Sequence, residues 1–148
     1  MKIRDARAED ENSWRQLLSG YLDFIGLEQS DDITSATWRR ILDPDSSLFC
    51  RVAEDDGGTV IGFANCVLHD GTSVASPICY LEDLYIDQAA RGRGTGKALM
   101  NDLLALSKSR GWSRLYWFTE HDNTTARHLY DSFRPADDWV RYQIKIDE

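Results

Sequence analysis

Cysteine, histidine and proline are scarce in these 148 residues, with three of each. Cys50, Cys66 and Cys79 lack C-x-x-C spacing and lie in apolar, strand-like runs, so we expect buried thiols rather than disulfides or zinc ligands. The histidines are scattered and predict no metal site. No apolar run approaches the roughly 20 residues that a bilayer span needs, and no signal-peptide core follows Met1. We therefore expect a cytoplasmic protein that does not enter the membrane.

Basic residues are also few: the chain has 17 lysines and arginines and 25 acidic residues, which gives a net charge of −8. This balance disfavours nonspecific binding to nucleic acid or to an anionic membrane. It is compatible with a cationic substrate, although solubility alone also explains an acidic surface. The length predicts a single domain over residues 1–148, large enough to bury a core.

Periodicity predicts strands and helices in the order β-α-α-β-β-β-α-β-α-β. The pattern indicates an α/β fold in which helices cover both faces of one largely antiparallel sheet. Asp55-Asp56-Gly57-Gly58 predicts a hairpin turn, and Gly111 is the expected cap of the third helix. The predicted strands cover residues 2–6, 47–54, 59–68, 78–87, 115–119 and 139–146. The predicted helices cover residues 7–26, 31–42, 98–110 and 122–133.

The most informative segment is the glycine-rich run RGRGTGK at residues 91–97, between an apolar strand and an amphipathic helix. Glycines at every second position expose successive backbone N–H groups at a helix N-terminus, which favours a phosphate. The dinucleotide fingerprint fails because Lys97 stands where its last glycine should be. The P-loop pattern fails at Arg91 and Ala98. A phosphate ligand of another kind is expected.

The spacing Arg91-x-x-Gly94-x-Gly96 resembles the pyrophosphate loop of the GNAT superfamily of acetyl-CoA-dependent N-acetyltransferases. A strand, then Asn123, then Tyr130 seven residues later, resembles that superfamily's second cofactor-contact segment. The resemblance covers about residues 50–146 and is greatest to the diamine/polyamine and the yeast-type histone and amino-acid acetyltransferase groups. It departs after Tyr130, where many members carry a glycine and this chain has Asp-Ser-Phe-Arg-Pro.

The resemblance implies the GNAT fold, in which two neighbouring strands splay apart around the pantetheine arm. It implies acetyl-CoA as co-substrate, no metal and a homodimer. The cofactor-binding residues that it implies are Leu84, Tyr85, Ile86, Arg91, Gly92, Arg93, Gly94, Thr95, Gly96, Lys97, Asn123 and Tyr130.

Acetylation of an amine requires that a proton leave an ammonium group whose pKa is about 10.4. By the resemblance Glu82 is the base, although an acid pairing with an arginine is equally compatible with the sequence. Asp83 is expected to be structural, on the opposite face of the strand unless a bulge intervenes. Tyr130 is the expected general acid or else a core tyrosine, and Asn123 a pantetheine contact, a helix cap or both. Backbone groups of residues 84–86 are implied to stabilise the oxyanion.

The acceptor is left open by the sequence. Tyr21, Trp38 and Trp117 are candidates to line its pocket, but tryptophans in a small domain are more often core. Glu28 and the acids 31 and 32 are expected to form a solvated turn rather than an amine site. We expect a small cationic amine or a basic peptide: a polyamine, diamine or amino acid. The alternatives are a protein lysine or N-terminal acetyltransferase and a non-catalytic acyl-CoA-binding module.

Overall fold

The computed structural model describes residues 1–147 and divides into two units, Met1–Phe118 and the residues from Thr119 onward. The first unit begins with strand β1 (Lys2–Asp5), a 3₁₀ turn (Ala8–Asp10) and helix α1 (Glu11–Ile25). Helix α1 ends at Gly26, whose φ of 71° is a left-handed conformation that glycine adopts without strain. Helix α2 (Asp31–Leu42) follows, with the Ser30 hydroxyl accepting a hydrogen bond from the N–H of Ile33.

The first unit is built on one five-stranded sheet in the order β1-β2-β3-β4-β5. The first three strand pairs are antiparallel, and β4 and β5 are parallel. The hairpin predicted at residues 55–58 is confirmed, since Asp55 Oδ1 accepts from the N–H groups of Gly57 and Thr59. The remaining strands are β2 (Leu48–Glu54), β3 (Val60–His69), β4 (Ile78–Ile86) and β5 (Arg114–Trp117).

Helix α3 (Thr95–Arg110) is the crossover that a parallel β4–β5 pair requires. Its buried side chains are Leu99, Met100 and Leu103. A bidentate ion pair between Arg51 of β2 and Asp102, with both bonds at 2.9 Å, fixes it to the sheet. The helix ends at Gly111 (φ 71°), as predicted.

The core of the first unit lies between the sheet and helices α1 and α2. The indole rings of Trp14 and Trp38 pack at a tilt of 35° with centroids 4.9 Å apart, and Phe63 of β3 packs against Trp14. All three side chains are at most 3% exposed. Cys50, Cys66 and Cys79 are buried free thiols, as the sequence predicts.

The second unit contains helix α4 (Thr124–Asp131), where Asn123 Oδ1 accepts a hydrogen bond of 3.1 Å from the N–H of Ala126. Residues 139–146, predicted as a closing strand, belong to no strand of the described chain, so that prediction is wrong. Alternating apolar residues make this segment competent for a strand, but a strand also needs a neighbour to pair its N–H and C=O groups. Its side chains Trp139 and Tyr142 are 88% and 92% exposed.

Among residues 1–147, no helix is long and apolar enough to cross a membrane. The same residues contain no cluster of three or more histidine, cysteine or acidic side chains arranged to hold a metal ion.

Candidate active site

A β-bulge in strand β4 determines the direction of its two adjacent acids. Across the β3–β4 pair, Asn65 is opposite Asp83 and Cys66 is opposite Leu81, so Glu82 is the extra residue without a partner. In a regular strand, neighbouring side chains point to opposite faces. The extra residue interrupts that alternation, and Glu82 and Asp83 both line one cavity.

This cavity has a volume of about 550 Å³ and lies between helices α1 and α2 and the sheet. Its apolar wall consists of Trp14, Leu18, Leu22, Ile25, Leu27, Leu48 and Val67. Its polar wall consists of Tyr21, Gln29, Thr37, Arg40, Ser47, Asn65, Glu82 and Asp83. The space therefore suits a small ligand that has both an apolar part and charged groups.

Asp83 is held by neutral hydrogen-bond donors rather than by a cation. Its Oδ2 accepts a bond of 3.1 Å from Asn65 Nδ2, and the Tyr21 hydroxyl also bonds to it. Burial raises the pKa of the Asp83 carboxyl above its ordinary 3.8, and these two donors partly offset that rise. Asp83, expected to be a structural acid, thus contributes a carboxylate to the cavity wall.

Glu82 has a different environment. Burial, and then the neighbouring Asp83 charge, raise the pKa of its carboxyl above the ordinary 4.5, while Arg40 acts in the opposite direction. A raised pKa makes a carboxylate a stronger proton acceptor. Glu82 is thus a carboxyl of raised pKa in the lining of the cavity.

The backbone of β4 beyond Glu82 is paired on one side only. Residues 84–86 pair with β3 through Ala64, Phe63 and Gly62. The parallel pairing with β5 ends at Leu81 and Trp117, after four residue pairs. The backbone groups of residues 84–86 that face away from β3 therefore have no strand partner in the sheet. This open edge is the splay that the resemblance implied.

The glycine-rich loop joins β4 to α3. Gly92 and Gly94 have φ angles of 81° and 78°, a region that side chains with a Cβ rarely adopt. The N–H of Ala98 donates to Gly94 O at 2.9 Å, so the N–H groups earlier in this first turn have no helical acceptor. Within residues 1–147, the buried Thr95 hydroxyl has no hydrogen-bond partner.

Three cations belong to the same loop. The Arg91 guanidinium lies over the Tyr85 ring, 5.4 Å from its centroid, and its Nε donates to Ile86 O at 3.3 Å. Arg93 and Lys97 have exposed side chains. The loop thus combines a helix N-terminus, left-handed glycines and positive charge, which together favour a multiply charged anion.

The two candidates of the second unit lie on α4. Tyr130 is half-buried, and burial raises the pKa of its phenol above the ordinary 10, so it is a protonated donor at neutral pH. Asn123 caps the helix, which confirms that part of its expected role.

Several other candidates lie outside the cavity wall. Trp38 is a core residue, 3% exposed, and Trp117 belongs to β5. Asp31 is exposed and pairs with Arg15 at 3.1 Å, but it is the first residue of helix α2 rather than part of a turn. Cys79 is fully buried between strands, which removes it from consideration as a nucleophile.

Asn65 and Arg40 are among the cavity residues that sequence reasoning missed. Asn65 is a polar residue inside the apolar run of β3 and is only 8% exposed. A buried amide needs partners, and that requirement is the signal that could have identified it. Arg40 carries no such signal, because an arginine near the end of a helix is common.

Comparison with known proteins finds sequence relatives among the acetyltransferases. The chain is 28% identical over 142 residues to the D-amino-acid N-acetyltransferase HPA3 of Saccharomyces cerevisiae, covering 95% of this chain and 88% of the relative. It is 31% identical to an aminoglycoside N(6')-acetyltransferase type 1 of Stenotrophomonas maltophilia, over 76% of this chain and 71% of the relative.

Solved structures share the fold. A probable acetyltransferase superposes with a TM-score of 0.88 at 19% identity, covering 100% of this chain and 99% of the other. AAC(6')-Iy in complex with a bisubstrate analogue, CoA-S-monomethyl-acetylneamine, superposes with a TM-score of 0.81 at 23% identity, covering 98% of each chain. The model of the acetyltransferase (GNAT) family matches residues 11–133. With most of its length matched, the chain belongs to the GNAT family of acetyltransferases, and it is an acyltransferase.

Proposed function

We propose that this enzyme transfers an acetyl group from acetyl-CoA to the primary amine of a small acceptor, by direct attack in a ternary complex. The observation that carries the proposal is the bulge that brings Glu82 and Asp83 into one 550 Å³ cavity. Two carboxylates in a partly apolar pocket attract an ammonium group and accept its proton.

The glycine-rich loop fits the pyrophosphate of acetyl-CoA. Left-handed Gly92 and Gly94 precede the free N–H groups of α3, and the Thr95 hydroxyl has no partner within residues 1–147. Arg91, Arg93 and Lys97 supply positive charge beside them. The open edge of residues 84–86 would hold the pantetheine amides in the manner of an added strand. When bound, acetyl-CoA supplies an acetyl group that is activated as a thioester.

Glu82 removes a proton from the acceptor ammonium, directly or through one water, and leaves a neutral amine with a free electron pair. That amine forms the new C–N bond as the C–S bond breaks. An N–H of the open β4 edge hydrogen-bonds the acetyl oxygen as negative charge develops on it. Tyr130 gives its phenolic proton to the departing sulfur. The nitrogen loses its second proton as it becomes an amide, and that proton restores the Tyr130 phenol, directly or through water. Asn123 contacts the pantetheine arm in addition to capping α4.

The named activities of relatives support a small acceptor, since HPA3 is a D-amino-acid acetyltransferase and another relative acetylates aminoglycosides. A protein lysine or N-terminal acetyltransferase is the alternative acceptor class. A non-catalytic acyl-CoA-binding module is disfavoured because such a module needs neither Glu82 nor Tyr130.

We further propose a homodimer. Residues 139–146 contain five large apolar side chains that are each at least 74% exposed: Trp139, Val140, Tyr142, Ile144 and Ile146. Contact with a second copy of the chain would remove this apolar surface from water. Sedimentation velocity should give twice the monomer mass, and a Trp139→Ser/Tyr142→Ser variant should weaken the association. A wild-type monomer at micromolar concentration would contradict the dimer.

The decisive experiment follows the release of the CoA thiol from acetyl-CoA in the presence of amino acids, polyamines, aminoglycosides or basic peptides. We expect turnover with at least one small amine and its loss in a Glu82→Gln variant that still binds acetyl-CoA. Binding of acetyl-CoA without turnover on any amine would support the binding-module alternative. Turnover confined to peptides would support the protein acetyltransferase.

A further inference from the structure

In the described part of the chain, Arg40 differs from three arginines of the first unit in having no carboxylate partner. Arg4, Arg15 and Arg51 each form ion pairs with two carboxylates. Within residues 1–147, Arg40 forms no ion pair, and its recorded hydrogen bond is the 3.4 Å contact of its Nη2 with the Thr37 hydroxyl one turn earlier in α2. Its guanidinium therefore has donors that the protein does not use.

Arg40 lines the same cavity as Glu82 and Asp83 and is the cationic member of that wall. It is close enough to Glu82 to act on that carboxyl electrostatically. No direct ion pair joins the two side chains. The cavity lining therefore carries two carboxylates and one guanidinium, together with apolar side chains.

We propose that Arg40 binds a carboxylate of the acceptor, so that the acceptor is an amino acid with an apolar side chain rather than a polyamine. This inference rests on the proposed acetyl transfer and specifies its substrate. An α-amino acid presents an ammonium group and a carboxylate on the same carbon, and the cavity lining carries both a carboxylate, Glu82, and a guanidinium, Arg40. The guanidinium fork binds a carboxylate through two parallel hydrogen bonds.

The same charge disfavours the other acceptor classes. A polyamine or an aminoglycoside carries several ammonium groups, and one directed toward Arg40 would meet a like charge. A lysine within a protein has no carboxylate on the carbon beside its ε-amine. The apolar wall, which includes Leu18, Leu22 and Ile25, favours acceptors such as leucine or phenylalanine.

The test compares two variants against matched acceptors. Wild type, Arg40→Gln and Arg39→Gln are assayed with leucine, as either enantiomer, and with leucine amide, which lacks the negative charge. Arg39 is the matched control because it is exposed on the same helix and is not among the residues that line the cavity. Arg40→Gln should lower kcat/KM for leucine on the order of 10- to 100-fold, mainly by raising KM. The same substitution should change kcat/KM for leucine amide by less than about threefold.

Arg40→Lys should recover part of the loss, because the charge remains but the bidentate geometry is lost. Equal losses with leucine and with leucine amide would overturn the proposal, because Arg40 would then act through Glu82 or through the fold. Turnover of polyamines with no turnover of leucine would also overturn it while leaving the acetyl transfer standing. No turnover with any amine would refute the proposed function itself, since the acceptors tested include both cationic and zwitterionic amines.

Discussion

Asn65 lies opposite Asp83 across the β3–β4 pair, and its Nδ2 donates a hydrogen bond of 3.1 Å to Asp83 Oδ2. The other end of the same amide, Oδ1, accepts a bond of 3.1 Å from Trp14 Nε1 in the core. A single buried side chain thus connects the packing of α1 to a carboxylate of the cavity. Its two ends have different partners, so its loss would remove the acceptor of the Trp14 N–H and one of the two donors to Asp83.

The first prediction concerns the stability that this amide provides. Asn65→Leu leaves the Trp14 N–H without a partner and leaves Tyr21 as the remaining donor to the Asp83 carboxylate. The unsatisfied N–H should lower the free energy of unfolding by roughly 1–3 kcal/mol. Urea unfolding at pH 7 measures the change. Asn101→Leu, at an exposed position of α3, is the control and should change stability by less than about 0.5 kcal/mol. Equal effects of the two substitutions would contradict the role of Asn65.

Asp83 should make stability depend on pH in a defined direction. Its pKa is higher in the folded protein than the ordinary 3.8, so the folded state binds its proton more tightly than the unfolded state does. The resulting stabilisation is complete below pH 3.8 and is lost as pH rises through the folded pKa. Asp83→Asn removes this dependence. We expect the variant to gain stability relative to wild type as the pH rises from 4 to 7, as measured by urea unfolding.

The same substitution should leave the Asn65 and Tyr21 donors paired, because an asparagine oxygen can accept both bonds. A stability difference between wild type and variant that is flat over this pH range would show that Asp83 does not titrate as burial implies.

Glu82 should behave as the base. Because its pKa is raised, the acidic limb of the kcat/KM profile should lie above pH 4.5 in the wild type. Glu82→Gln should depress the rate most at neutral pH, and raising the pH should partly restore it because free amine becomes abundant. Glu9→Gln is the control, because Glu9 is an exposed acid in the 3₁₀ turn Ala8–Asp10. A rate defect that is constant across pH would make Glu82 a structural acid.

Tyr130 should act as the acid. Tyr130→Phe keeps the ring and its packing, so the protein should remain folded while kcat falls on the order of 10²-fold. The KM for acetyl-CoA should change little. Tyr142→Phe, which alters a side chain 92% exposed, is the matched control and should retain full turnover. Near-normal kcat for Tyr130→Phe would assign the proton donation to another group.

The pyrophosphate loop can be tested by charge alone. Gly96 lies in the first turn of α3, where an acidic side chain is favourable to the helix dipole. Gly96→Glu should therefore keep or slightly raise the melting temperature while lowering acetyl-CoA affinity by more than about tenfold, through repulsion of the phosphates. Gly96→Gln has nearly the same size without the charge and should bind more tightly than Gly96→Glu. Isothermal titration calorimetry that gives equal affinities for the two variants would exclude a phosphate at this helix end.

Much of the fold follows from local sequence. The hairpin at residues 55–58, the caps at Gly26, Gly111 and Asn123, and the glycine turn before α3 each depend on a few adjacent residues. Their determinants are backbone φ angles and short-range hydrogen bonds. Such features are readable without any knowledge of the rest of the chain. The family resemblance rests on the same local patterns, and the match over residues 11–133 confirms it.

The tertiary structure decided what depends on a neighbouring strand or helix. The sequence shows Glu82 beside Asp83, but only the register against β3 shows that a bulge turns both toward one cavity. Likewise, Asn65 and Arg40 acquire their places because β3 and α2 pack around that cavity. The alternation at residues 139–146 is a strand pattern in the sequence, yet no neighbour pairs with it in the described chain. Periodicity specifies which face of a segment is apolar, whereas pairing and register are determined by the partner that the fold supplies.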